Sequence, residues 1–214
     1  PATVIETSNI YLSTSGGATF YGLTALPSGF SGARYYVVIK TRNHEITWCN
    51  DNTALGYSFS SSTGTLNYDF STEVTQAYTD GGMDPMVLKG TRWCLYAGDV
   101  TDGVTVGVQD GYIDFFDNDA VFTDNVLGIG PGYIVTDLNF DQYVDFFDND
   151  IVFPNNVLGV YRQEPAGAMK MDQLAKHNIK KKQILENRAR LTAKKTEIEK
   201  KIEEGKKLIN ERKK

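Results

Sequence analysis

Asp137, Asn139, Asp141, Asp145 and Asp148 stand at positions 1, 3, 5, 9 and 12 of a twelve-residue stretch, with Tyr143 at position 7. Oxygen donors at this spacing, the seventh contributed by a backbone carbonyl, form the ligand pattern of a calcium loop. Four carboxylates held so close repel one another by roughly several kcal/mol at an intermediate dielectric, and a hard divalent cation removes the conflict. The chemistry expected of these residues is binding of Ca2+.

A second set stands upstream. Asp110, Tyr112, Asp114 and Asp117 match positions 5, 7, 9 and 12, and Asp99 and Thr101 supply positions 1 and 3 if residues 102–108 are an excursion out of the loop. The run Phe115-Phe-Asp-Asn-Asp returns at Phe146-Phe-Asp-Asn-Asp, a period of 31, whereas Asp99 and Asp137 lie 38 apart, seven more than the period. An excursion of that length costs little closure entropy when its ends stay together. Two Ca2+ sites are therefore expected. The first is expected to be weaker, or to recruit Asp102 or a water, because Thr101 replaces the carboxylate or amide of position 3. Position 6, where a left-handed turn favours glycine, is Gly111 in the first loop and Gln142 in the second.

The repeat continues to Gly128 and Gly159, so each loop is expected to lead into a short helix. Val121, Phe122, Val126 and Leu127 of the first copy are expected to pack on Val152, Phe153, Val157 and Leu158 of the second, since neither copy alone can bury its apolar face. The pairs Phe115-Phe116 and Phe146-Phe147 are expected as core contacts or contacts to a β-domain, the alternative being an exposed recognition patch.

No catalytic constellation is found. His44 and His177 are the only histidines, no Gly-x-Ser-x-Gly, His-Glu-x-x-His or phosphate-binding glycine loop is present, and the acids gather in loops. His44 is expected as a solvated residue of the turn Asn43-His44-Glu45. The chain is read as non-enzymatic. Cys49 and Cys94 each follow a Trp, and both a disulfide and two small buried hydrophobes fit them. No run of 18 apolar residues occurs, so no membrane span is expected. The start at Pro1, without Met or a signal-peptide pattern, suggests a processed start or a fragment.

Residues 3–97 read as short strands between Gly, Ser, Asn and Asp turns, with candidates at 3–6, 10–13, 18–23, 34–42, 46–49, 57–59, 65–70 and 91–96 and a helical turn within 72–78. The run Tyr35-Tyr-Val-Val-Ile39 predicts a strand buried on both faces, and the spacing favours an Ig-like antiparallel β-sandwich over residues 1–97. A small α module with the two loops follows at 98–164, then a linker at 165–169. Residues 1–169 hold 6 Lys/Arg and 20 Asp/Glu, whereas residues 170–214 hold 16 and 7. The acidic part excludes nucleic acid as its partner. The basic segment, free of Pro and carrying Ile184, Leu191, Ile198, Ile202 and Ile209 as an interrupted stripe, is expected to form a long helix that meets a protein partner or another copy of the chain.

The paired loops, Asp-x-Asn-x-Asp-x-x-x-Asp-x-x-Asp followed by a helix, resemble dockerin type I repeats. Tyr35–Asn43, Ile46–Trp48 and Met86–Asp99 resemble the β-domain that precedes such a module at the end of large secreted proteins of Bacteroidetes-type bacteria. The resemblance covers roughly residues 10–164 and implies export, calcium-dependent folding and a non-catalytic role at the cell surface or in the medium. The phenylalanine pairs depart from it, standing where small polar residues of cellulosomal dockerins choose the cohesin partner. The expected function is a calcium-stabilised structural or interaction module, part of an adhesin or surface assembly. The alternatives are a subunit of an extracellular filament, and a carbohydrate-binding accessory module or hydrolase fragment that takes a surface glycan.

Overall fold

The computed structural model describes residues 35–50, 57, 60 and 65–165, together with single helical positions between Lys182 and Lys201. The described residues fall into two compact units. One holds residues 35–40, 46–95 and 163–165; the other holds Thr41–Glu45 and Tyr96–Arg162.

In the first unit, β1 (Val38–Ile39) pairs antiparallel with β2 (Thr47–Trp48), and β3 (Val87–Lys89) pairs antiparallel with β4 (Arg92–Cys94). A 3-10 turn covers Val74–Gln76. These are two separate two-stranded sheets, so the Ig-like sandwich is not found among the described residues. The run that promised a central strand yields two ladder residues, because Val38 is 40% exposed and the chain passes into the other unit after Lys40. Side chains do much of the joining instead. Tyr36 packs edge-on against Trp48, and Tyr68 against Tyr57 and Phe70. The Tyr68 hydroxyl donates to the Gln76 carbonyl, and the Asn50 amide to that of Thr75. Cys49 is buried, Cys94 is half-buried, and both are thiols. The strand candidates at 3–6, 10–13 and 18–23 lie outside the described residues. A long continuous C-terminal helix is likewise not among the described elements, and most of the stretch that was to form it lies outside them.

The second unit is built on the repeat. Helix α1 (Phe115–Leu127) and helix α2 (Phe146–Leu158) begin at Asp114 and Asp145, whose carboxylates cap the first turn while Asp117 and Asp148 reach back to close a capping box. They end at Gly128 and Gly159, with φ of 64° and 66°, a left-handed cap that glycine adopts without steric cost. The two copies then exchange partners. The amide of Ile113, in the first loop, donates to Val160 beyond α2, and the amide of Val144, in the second loop, donates to Ile129 beyond α1, both at 2.9 Å. Asn155 of α2 donates to the carbonyl of Ala97 just before the first loop, and Thr136 just before the second donates to Asp124 of α1.

The core is filled from the loops: Val100, Ile113, Leu138, Val144 and Val160 are buried beside one valine per helix, Val121 and Val152. Gly98 follows the same crowding, since a Cβ there would stand 3.0 Å from both Ile113 and Val152. The expected packing of one helix's apolar residues on the other is thus corrected. Phe122, Val126, Leu127, Phe153, Val157 and Leu158 face solvent, as do Phe115, Phe116, Phe146 and Phe147, because only the narrow stripes Asp117–Val121 and Asp148–Val152 point inward. Val152→Ala should therefore cost about 1–3 kcal/mol in a denaturant titration, whereas Phe153→Ala, one residue on, should stay within about 0.5 kcal/mol of the parent.

Candidate metal centre

Both loops close through the same hydrogen bonds. In the first, Asp117 Oδ1 accepts from the amides of Val100 and Thr101 at 2.8 and 2.9 Å, and Oδ2 from that of Asp114 at 2.8 Å. In the second, Asp148 Oδ1 accepts from Leu138 and Asn139 at 2.7 and 3.2 Å, and Oδ2 from Asp145 at 2.9 Å. Asp99 takes the amides of Asp110 and Gly111, and Asp137 those of Asp141 and Gln142. Asp110 and Asp141 accept from Tyr112 and Tyr143, and Asp114 and Asp145 from Phe116 and Phe147. Residue for residue, Asp99, Asp110, Tyr112, Asp114 and Asp117 are gathered as Asp137, Asp141, Tyr143, Asp145 and Asp148 are.

Residues 102–108 stand between the two halves of the first loop as a small turn. Thr101 bridges to Val106, and the amide of Gly107 returns to the carbonyl of Val100 at 2.7 Å, which brings Asp110 back to Asp99. Position 3 differs between the copies. Asn139 Oδ1 accepts from the amide of Asp141, while the Thr101 hydroxyl accepts from Gly103 and so serves the excursion. Asp102 does not join the site; its carboxylate caps the amides of Val104 and Thr105. Position 6 is left-handed in both loops, φ 85° at Gly111 and 80° at Gln142, and the second loop carries this strain on a side-chain-bearing residue.

Asp99, Asp117, Asp137 and Asp148 are almost wholly buried. Burial, reinforced by the carboxylates of Asp117 and Asp110, pushes Asp99 well above the usual range. Burial pushes Asp117 up to about 7 against the pull of three backbone amides, and it also raises Asp148. Among the described residues no three Asp, Glu, His or Cys side chains converge as a ready metal cluster; the carboxylates are turned onto loop amides. The donor chemistry still fits a hard cation. All candidate donors are oxygen, and a carboxylate with about four acceptor positions keeps capacity beyond the two or three amides it holds here.

One segment near the loops was not legible as part of the site. Thr41–Glu45 belongs to this unit, with the amide of Glu45 on the carbonyl of Tyr96 and the amide of Gly98 on that of Asn43. Asn43 is fully buried and donates to the Asp137 carbonyl at 2.7 Å. Arg42 lies 3.6 Å from Asp137 Oδ2, with its guanidinium carbon 3.6 Å from the centre of the Tyr133 ring. His44 is half-buried rather than solvated and stacks on Phe140. Burial and the nearby Arg42 lower its pKa to about 4, so the ring is neutral. Nothing in the local sequence of a five-residue polar turn signals these partners.

The chain matches no family model, no curated protein and no solved structure. Among the described residues no helix is long and apolar enough to cross a membrane.

A carboxyl group whose pKa is raised on folding holds its proton more tightly in the fold. Its stabilising contribution is complete near pH 4 and is lost as pH rises through the folded value, here about 7 for Asp117. In a chelator the melting temperature should therefore fall between about pH 5 and about pH 8, and saturating calcium should remove that fall; a chelated melting temperature that climbs over the same range would contradict the assignment.

Proposed function

We propose that the chain is a non-catalytic module of the cell surface or extracellular medium, in which two Ca2+ ions stabilise the paired loop–helix unit and the helices offer an apolar face to a protein partner. The observation that carries this reading is the agreement of the two loops, position by position, despite the seven-residue excursion in one of them. Asp137, Asn139, Asp141, Asp145 and Asp148, with the Tyr143 carbonyl, would hold one ion. Asp99, Asp110, Asp114 and Asp117, with the Tyr112 carbonyl, would hold the other. Thr101 contributes less, its hydroxyl being engaged by Gly103, and the first site is the weaker one.

Bound calcium supplies charge neutralisation. The protein's part is to bury and orient the carboxylates, since Asp114, Asp117, Asp145 and Asp148 are at once loop residues and helix caps. Order in a loop is thereby transmitted to the start of its helix. Each helix exposes five large apolar residues, an amount of apolar surface characteristic of an interaction face. The resemblance to dockerin repeats and an extracellular location belong to the same proposal. A carbohydrate-binding role has less support, because Tyr36 packs edge-on against Trp48 and Tyr57 against Tyr68.

Metal analysis should give two calcium ions per chain, each contributing about 2.7 kcal/mol at a hundredfold excess over its Kd, so that removing both should lower Tm by roughly 10 °C or more. Coincident melting curves with calcium and with chelator would refute the reading.

Self-association through residues 170–214 is part of the proposal. Its support is charge: residues 96–162 carry twelve aspartates and one arginine, and the terminal segment carries 16 Lys/Arg against 7 acids. The full chain should show an assembled mass by light scattering at low salt, and a chain ending at residue 169 should be monomeric. Identical masses would remove the terminal segment from the assembly.

A further inference from the structure

The segment Thr41–Glu45 touches both loops at equivalent places. At position 1 the loops differ in what meets the carbonyl: in the first loop its own Gln109 Nε2 reaches that of Asp99 at 3.0 Å, and in the second Asn43 Nδ2 of the segment reaches that of Asp137 at 2.7 Å. Position 4 of each loop grips His44. Gln109 Nε2 in the first loop donates to the His44 carbonyl at 2.7 Å, and Phe140 in the second lays its ring on the imidazole, 5.6 Å between centroids and 9° from parallel. Phe140 holds a left-handed φ of 64° to do so, a conformation that residues with a side chain rarely adopt. The segment itself is stiffened, with the Thr41 hydroxyl accepting from the His44 amide and Asn43 Oδ1 lying 2.9 Å from His44 Nδ1.

We propose that Thr41–Glu45 is a strap that positions both loops and couples them, with Gln109 and Phe140 as its two attachment points. Rigid groups shared by two sites make order at one favour order at the other, and the coupling is reciprocal. Where calcium is the ligand, which rests on the function proposed above, the two ions then bind as a linked pair. The strap's effect on loop order does not require the metal.

Two measurements on the full chain separate these statements. In chelator, followed by amide hydrogen exchange, Gln109→Ala should speed exchange at Asp141 and Gln142 in the other loop by about fivefold or more, and Phe140→Ala should do the same at Asp110 and Gly111, with the amides of Val121 and Val152 unchanged. Effects confined to the loop that carries the substitution, or a uniform rise across both helices, would overturn the strap. In a calcium titration by calorimetry, the parent should fill its sites with a Hill coefficient above one, falling to about one in either variant with two ions still bound. Two independent events in the parent would end the linkage of the ions while leaving the calcium reading intact. A parent that takes up no calcium would end both of those, and the exchange result would then judge the strap alone.

Discussion

The carboxylate at the third position of each helix is the interaction on which the loop–helix unit turns. Asp117 and Asp148 each take two amides from the start of their loop and one from its end, so a single buried group joins loop entrance, loop exit and helix. Three amide donors offset part of the cost of burying the charge. They do not offset all of it, and both groups remain harder to ionise than an ordinary aspartate. The fold therefore places negative charge where it is electrostatically uncomfortable.

Pairing of the copies follows from that local closure. A loop closed by its own helix still leaves amides and carbonyls at its midpoint, and these are met by the chain beyond the other helix, through Ile113 to Val160 and Val144 to Ile129. Neither copy can finish its hydrogen bonding alone. The buried apolar side chains come from the same segments, which is why the core needs only Val121 and Val152 from the helices and leaves five large apolar residues exposed on each of them. The core and the exposed apolar residues are thus products of one arrangement: the loops carry the core, and the helices keep most of their apolar side chains outside it.

Much of the loop geometry was legible in the residues, because the acids of the second loop fall within twelve consecutive positions and the duplication supplies an internal control. The excursion could be located by arithmetic alone, since 31 and 38 differ by seven. Thr101 was readable as the odd residue at position 3, though the reason, its use by Gly103, was not. The first unit was misread for the opposite reason. Tyr, Val and Ile in short runs describe a residue's taste for pleated surface, and that taste is satisfied equally by an edge-on aromatic cluster with two ladder residues per strand. The expected sandwich required pairing partners far along the chain, and nothing local specifies them.

Local order in the helices was determined by the sequence itself: the helix starts at Asp114 and Asp145 and the helix ends at Gly128 and Gly159 are dictated by interactions within about four residues, and the spacing of the acids marks the loops that precede them. What only the tertiary structure decided is which groups meet across long separations. Asn43 meets Asp137 across 94 residues and Gln109 meets His44 across 65. The helices turn their Phe residues outward because loop side chains already fill the interior. Contacts of that kind depend on where chain segments are brought in space, and a one-dimensional pattern of residue types carries no distance between them.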